Sequence, residues 1–196
     1  MDTIAVFDFD GTITTKDTFV DFCLYAFGPI AFAKKAFCSV IPAFLYATRL
    51  WCGHKAKEKI FARFFAGMSE QEFNRLCLSY CTEHVNKICK PEAVDKINWH
   101  GQQNHKLVII SASIAGWIKP WAQKNGFEEV MATVPEIKNG VLTGNFASRN
   151  CNGEEKVSRF RKKYNRADFF LYAYGNSVGD KPLLSIADKS FYNGFL

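Results

Sequence analysis

Two aspartates, Asp8 and Asp10, stand two residues apart near the start of the chain, directly after an apolar run at residues 4–7, and Gly11 and Thr12 follow them. The run is typical of a strand buried on both faces of a parallel sheet. Two carboxylates close together at the end of a buried strand are unfavourable unless a divalent cation lies between them. Oxygen ligands of this kind suit Mg²⁺, which also binds substrate phosphate. The pattern therefore indicates a magnesium and phosphate site, and two solvated aspartates in a turn are the plainer alternative.

Two later apolar runs, at residues 106–110 and 169–174, also end in small or polar residues. The sequence Ser-Ala-Ser follows the first run at residues 111–113, and Gly-Asn-Ser follows the second at residues 175–177. In open α/β sheets, ligands bind at the carboxyl ends of the strands. We therefore expect the three strand ends to meet at one site.

The sequence between the first two strands predicts a helical insert. A crossover connection needs only about a dozen residues, whereas about ninety separate these strands. Ser69 and Glu72 have the spacing of a capping box at a helix start. The predicted helices of the insert are residues 17–27, 30–50, 55–68, 69–89 and 91–104. The predicted elements after the second strand are helices at 115–125, 154–164 and 181–188, strands at 128–135 and 190–192, and an Asn-Gly hairpin at 136–144.

The insert carries an unusual charge. Residues 28–68 hold seven basic side chains and one acidic side chain, and the resulting charge of +6 equals that of the whole chain. The same segment is rich in aromatic and aliphatic residues. A basic, aromatic helical region can lie on an anionic membrane surface, so the segment predicts peripheral contact with a membrane. The alternative is an ordinary helical cap whose lysines are solvated.

The seven cysteines are odd in number and form no Cys-x-x-Cys pair, so reduced thiols in a cytoplasmic protein are expected, without zinc. The N-terminal residues do not resemble a secretory signal. The longest uncharged run, residues 36–48, is far shorter than the ~20 residues of a membrane span.

The motif Asp8-x-Asp10-Gly-Thr resembles the first motif of the haloacid dehalogenase superfamily. Ser111 matches its second motif, Lys156 its third, and the loop at residues 175–180 its fourth, in the same order along most of the chain. The helical insert is similar to the cap of the phosphoserine-phosphatase-like branch, subfamily IB. The resemblance implies an α/β fold, with a Rossmann-like parallel-sheet core at residues 1–15 and 105–196 and an all-helical cap at residues 16–104.

The resemblance also implies a magnesium-dependent phosphatase. Asp8 is then the nucleophile that forms an aspartyl-phosphate, and Asp10 is the general acid and base. The implied catalytic residues are Asp8, Asp10, Lys156 and Ser111. The implied substrate-binding residues are Gly11, Thr12, Ala112 and Ser113. The implied Mg²⁺ ligands are Asp8, Asp10, Asn176 and Asp180.

One residue departs from the family pattern: Asn176 occupies a position that is most often Asp. Its neutral carbonyl oxygen removes one negative charge from the metal site. This asparagine favours a non-catalytic phosphate-binding protein as an alternative to the phosphatase. A phosphotransferase or mutase is a separate, enzymatic alternative. The expected partner is a phosphorylated small molecule or a lipid head-group phosphate. Nucleic acid is not expected, because no recognised nucleic-acid module accompanies the basic residues.

Overall fold

A five-stranded parallel sheet forms the centre of the computed structural model, which describes residues 2–37, 53–165 and 168–195. The strand order is β3-β2-β1-β6-β7, so β1 pairs with both β2 and β6. A separate antiparallel hairpin consists of β4 and β5. The prediction of an α/β fold with a parallel sheet is confirmed. The strands are β1 Asp2–Phe7, β2 Lys106–Ile114, β3 Glu129–Thr133, β4 Pro135–Lys138, β5 Val141–Phe146, β6 Phe169–Gly175 and β7 Lys189–Tyr192.

The helices follow the sequence pattern with one change in the insert. The first two predicted helices follow each other within α1, and they are separated by a kink at Gly28, which takes a non-helical φ of +70° and is followed by Pro29. Residues 38–50 of the predicted helix 30–50 lie outside the described residues. Ser69 begins α3 as predicted, and its Oγ accepts from the Glu72 N–H at 3.2 Å. The helices are α1 Thr18–Phe37, α2 Gly53–Phe65, α3 Glu70–Tyr80, which continues through Cys81–Val85 and Asn86–Ile88, α4 Pro91–Gln102, α5 Ala115–Lys124, α6 Glu154–Lys163 and α7 Lys181–Ser185.

Both faces of β1 are buried, as its continuous apolar run predicts. Ala5 and Phe7 belong to a large aromatic core that includes residues of α1, α2, α3 and α5. Ile4 and Val6 point into a second core that includes residues of α6 and α7. The sheet therefore holds β1 between two apolar layers and leaves the end of the strand, at Asp8, as its functional edge.

The helical insert shares the larger core with the sheet. Phe22 of α1 stacks on Trp117 of α5, with ring centroids 4.4 Å apart. The β4–β5 hairpin packs on α2, where a Cβ on Gly144 would come within 2.6 Å of the Ala62 Cβ. Glycine at residue 144 is thus required by close approach as well as by its φ of +92°. These contacts join the insert and the sheet through one continuous core.

Helix α4 lies against the sheet, although the sequence assigns it to the cap. His100 of α4 is buried, and its Nε2 lies 2.8 Å from the Tyr174 hydroxyl of β6. The Thr14 and Cys89 backbones form an isolated antiparallel bridge where the chain enters and leaves the insert. The division at residue 104 stays a prediction, and these contacts favour an insert that ends near Cys89.

His100 makes folding sensitive to acid. Burial lowers the pKa of His100 to about 3, and the nearby His105 adds to this effect. Between that value and the ordinary His pKa near ~6.5, the unfolded chain binds more protons than the folded protein. Stability is therefore lost as pH falls below ~6.5, by at most ~1.4 kcal/mol per pH unit from this one group.

We expect His100→Gln to flatten the pH dependence of the free energy of unfolding between pH 7 and pH 5. Urea denaturation of both proteins across this range measures the two slopes. If the free energy of unfolding changes with pH at the same slope in the parent and the variant, the pH dependence is not due to His100. This holds whatever the absolute stability of the variant.

Candidate active site

The ends of β1 and β6 bring the first and fourth motifs together. The Asp8 N–H donates to the Tyr174 carbonyl at 2.9 Å, which extends the sheet by one residue. Gly11 has a φ of +74°, and a Cβ at this position would lie 2.3 Å from Asn176 Nδ2. The Thr12 hydroxyl donates to Asn176 Oδ1 at 3.1 Å. The turn at Gly11 and Thr12 therefore packs directly against the loop that carries Asn176.

Lys156 connects two buried carboxylates. Its Nζ lies 2.6 Å from Asp8 Oδ1 and 2.5 Å from Asp180 Oδ1. All three side chains are buried. Burial alone would lower the pKa of Lys156, but the two carboxylates raise it above its ordinary value. The ammonium is therefore held charged between Asp8 and Asp180.

The two carboxyl groups respond differently to this arrangement. Burial raises the pKa of Asp8, while Lys156 opposes the rise. For Asp180, burial is outweighed by Lys156 and by hydrogen bonds from Ser177, so its pKa is lowered. Asp180 is the more firmly ionised of the two.

Asp180 is also fully engaged by the loop around it. Its Oδ2 accepts from the Asn176 N–H at 3.1 Å, the Ser177 N–H at 2.8 Å and the Ser177 hydroxyl at 2.6 Å. Its Oδ1 accepts from Lys156. These bonds favour a role in positioning Lys156 and Asn176. Direct binding of Mg²⁺ by Asp180 stays a prediction.

Asp10 is held by a hydrogen-bond network that the sequence did not suggest. Its Oδ1 accepts from the Thr18 N–H at 3.0 Å and from the Thr18 hydroxyl at 2.5 Å. Since the Thr18 proton is directed to Asp10, the Thr18 oxygen accepts from Trp117 Nε1 at 3.0 Å and from the Ser113 hydroxyl at 2.9 Å. Burial and then the charge of Asp17 raise the pKa of Asp10 to about 6. A carboxyl group with such a pKa can both give and take a proton near neutral pH.

Residues 111–113, which lie in the last part of β2, have a more structural character than expected. Ser113 is completely buried, and its hydroxyl contacts Thr18. We therefore propose that Ser113 positions Thr18, in place of the substrate contact inferred from sequence. Ser111 is buried at the strand end, and its Oγ accepts from the Ser113 N–H at 3.1 Å. The Ala112 carbonyl accepts from Thr133 Oγ1 and from Lys57 Nζ.

The residues present fit a magnesium ion. Within the part of the chain that the structure describes, no group of three or more His, Cys, Asp and Glu residues could hold a metal. The donors near the strand end are the carboxylates of Asp8 and Asp10 and the amide oxygen of Asn176. Mg²⁺ usually keeps several waters and takes one or two carboxylates together with substrate phosphate. This donor set is therefore adequate for Mg²⁺, and Asp8, Asp10 and Asn176 are the residues that would hold it.

Removal of the Lys156 ammonium should destabilise the fold, because two buried carboxylates would lose their counter-ion. Breaking a buried ion pair by removing one partner costs about 3–5 kcal/mol. We expect Lys156→Met to lower the free energy of unfolding by this amount in magnesium-free buffer. Adding Asp8→Asn to Lys156→Met should recover part of the loss, because it removes one uncompensated charge. A double variant less stable than Lys156→Met would contradict the charge argument.

Comparisons with known proteins identify the family of this chain. The sequence model of the haloacid dehalogenase-like hydrolase family matches residues 5–185. Protein CicA of Caulobacter vibrioides is 27% identical, over 98% of this chain and 86% of its own length. Probable phosphatase Rv3661 of Mycobacterium tuberculosis is 26% identical, over 93% of this chain and 65% of its own length.

Solved structures share the fold. A protein with unknown function from Bordetella pertussis Tohama I superposes with a TM-score of 0.82 at 22% identity, covering 97% of this chain and 89% of that one. Phosphoserine phosphatase from T. onnurineus superposes with a TM-score of 0.63 at 23% identity, covering 98% and 84%. The family expected from the four motifs is confirmed, and this chain belongs to the haloacid dehalogenase-like hydrolases.

Proposed function

We propose that this protein is a magnesium-dependent phosphatase that hydrolyses phosphomonoesters through an aspartyl-phosphate on Asp8. The observation that carries the proposal is the buried contact between Asp8 and Lys156 at the end of the central strand, with Asp10 two residues away. The name of the relative Rv3661 as a probable phosphatase, and the fold shared with phosphoserine phosphatase, support it.

The side chains have complementary roles in this reaction. The Asp8 carboxylate attacks phosphorus in line with the leaving oxygen, and Lys156 holds the carboxylate in place. Asp10, oriented by Thr18, gives a proton to the leaving oxygen and then takes one from the water that hydrolyses the aspartyl-phosphate. We assign to Ser111, near the end of β2, the binding of a phosphoryl oxygen. Bound Mg²⁺ would supply the positive charge that lets carboxylate and phosphate approach each other.

The first test removes the nucleophile. We expect Asp8→Asn to reduce Mg²⁺-dependent phosphate release by at least about a thousand-fold, because the amide cannot form the aspartyl-phosphate. The substrates are p-nitrophenyl phosphate, phosphoserine and phosphatidylglycerophosphate, each assayed with Mg²⁺ and with a chelator. Asp2→Asn, at the exposed opposite end of β1, is the matched control and should retain the parent rate.

Each alternative has its own outcome in this assay. Equal release by the parent and Asp8→Asn would exclude the proposed nucleophile, and no release by either protein would favour a phosphate-binding protein. Release that requires an added alcohol acceptor would favour a phosphotransferase.

The surface of α1 bears on whether the substrate is a lipid phosphate at a membrane or a small soluble phosphate. None of the described helices is both long and apolar enough to span a bilayer. The side chains of Val20, Leu24 and Ile30 on α1 are nevertheless exposed, with Ile30 at 75%, and Lys34 and Lys35 follow them. Exposed apolar side chains beside lysines suit an anionic membrane surface. We propose peripheral contact with such a surface and a lipid head-group phosphate as substrate, with a small soluble phosphate as the alternative.

We also propose a cytoplasmic location on the inner face of that membrane. Cys23, Cys77, Cys81, Cys89 and Cys151 are unpaired thiols, as expected in a reducing compartment. The two other cysteines, Cys38 and Cys52, lie outside the described residues.

Vesicle sedimentation tests the membrane contact. The parent should sediment with phosphatidylglycerol vesicles at low salt, and Ile30→Ser should weaken binding by about 10- to 100-fold, because burying one isoleucine contributes roughly 1.5–3 kcal/mol. Val178→Ser is the control, because Val178 is similarly exposed, at 73%, but lies in the loop after β6. Parent protein that stays in the supernatant, or equal losses in both variants, would remove the membrane proposal and leave the soluble substrate.

A further inference from the structure

The side chain of Lys57, a residue of the insert, extends to the end of β2, where the second motif lies. Lys57 lies on α2, and its Nζ donates to the Ala112 carbonyl near the end of β2, beside the second motif, at 2.8 Å. The same ammonium lies 5.5 Å from the ring centre of Phe19. Its charge also acts on Asp10, where it counters the rise in pKa that burial causes. Lys57 therefore lies near Asp10, on the insert side of the site.

The Lys57 ammonium lies outside ion-pair distance of every carboxylate in the described residues, although its charge acts on Asp10 at longer range. Among residues 2–37, 53–165 and 168–195, no carboxylate forms an ion pair with it. The adjacent Glu58 accepts from the Phe146 N–H at 2.7 Å and is turned to the hairpin. The acceptor that Lys57 does have, the Ala112 carbonyl, is neutral and already receives the Thr133 hydroxyl at 2.9 Å. A partly buried ammonium gains more from an ionised acceptor than from a shared carbonyl.

We propose that Lys57 binds an anionic group on the alcohol part of the substrate, close to the phosphoester, and so selects substrates with a charged leaving group. The inference rests on the proposed phosphatase function and assigns the specificity of the same site. The nucleophile and Lys156 hold the phosphoryl group at the strand end, so the leaving alcohol extends past Asp10 to the insert. There Lys57 offers the charge, on the side of the site that the insert covers.

A pair of small substrates separates charge recognition from general effects on activity. 2-Phosphoglycolate carries a carboxylate next to the phosphoester, and 2-hydroxyethyl phosphate carries a neutral hydroxyl at a similar distance. The quantity to measure is the ratio of kcat/KM for the two compounds, charged over neutral. We expect Lys57→Met to lower this ratio by about 10- to 100-fold, which is the usual contribution of a hydrogen bond to a charged group. Lys55→Met, an exposed lysine two residues earlier on α2, should leave the ratio unchanged.

A merely structural role for Lys57 gives a different result. If Lys57→Met lowers both kcat/KM values equally, or neither, the ratio stays constant and the inference is overturned. It is also overturned if the parent hydrolyses p-nitrophenyl phosphate but shows no preference for 2-phosphoglycolate over 2-hydroxyethyl phosphate. Parent protein that releases phosphate from none of the three compounds would instead remove the proposed phosphatase function on which the inference rests.

Discussion

The bridge from Lys156 to Asp8 and Asp180 is the interaction on which the rest of the site depends. It ties helix α6 to the end of the central strand and to the loop after β6. Buried charges are tolerated only when each one has a partner in good geometry, and here one ammonium serves two carboxylates. These three side chains therefore carry a net charge of about −1, and an ionised Asp10 makes the charge of the site more negative. Such a site repels a phosphate dianion unless another cation joins it, which is the physical reason to expect Mg²⁺.

A second constraint couples the insert to the chemistry. Thr18 is the first residue of α1, yet its hydroxyl orients Asp10 and receives hydrogen bonds from Trp117 and Ser113. The loop of β1, the insert and helix α5 thus meet at one oxygen atom. The aromatic core beneath this oxygen continues from the insert into the sheet, through Phe22 and Trp117. The position of the insert and the orientation of the proposed general acid are therefore set together.

Sequence reasoning located the strand ends well, because buried parallel strands are short apolar runs and their ends carry the polar residues. It joined β1, β2 and β6 in one sheet and identified the family from four motifs in order. It did not identify Thr18 or Trp117, because the hydrogen-bond partner of Asp10 is chosen by tertiary packing and follows no spacing rule. The available signal was a threonine directly after Asp17, near the start of a predicted helix. The same limit applies to Lys57, which stood out in the sequence only as one of seven basic residues.

Helix α4 shows why insert boundaries are hard to derive from sequence. Its pattern is that of an ordinary amphipathic helix, and nothing in it states whether the apolar face covers the sheet or other helices. His100 packs on β6, and the isolated Thr14–Cys89 bridge precedes α4, so these contacts favour a boundary of the insert before α4. When the chain passes from the insert to the core between two helices, the hydrophobic pattern has the helical period on both sides. The sequence therefore shows no change at that boundary.

Asn176 illustrates how one departure from a motif can be compatible with the same chemistry. An amide oxygen has two lone pairs, of which the Thr12 hydroxyl uses one, so the other is free for a cation. The amide nitrogen lies over Gly11, where any larger residue would collide with it. The asparagine is therefore oriented by its neighbours on both sides. Replacing a carboxylate by this amide weakens the attraction for Mg²⁺, but it also lowers the repulsion that an incoming phosphate meets. The two effects oppose each other in the complete complex, so the asparagine is consistent with a working hydrolase.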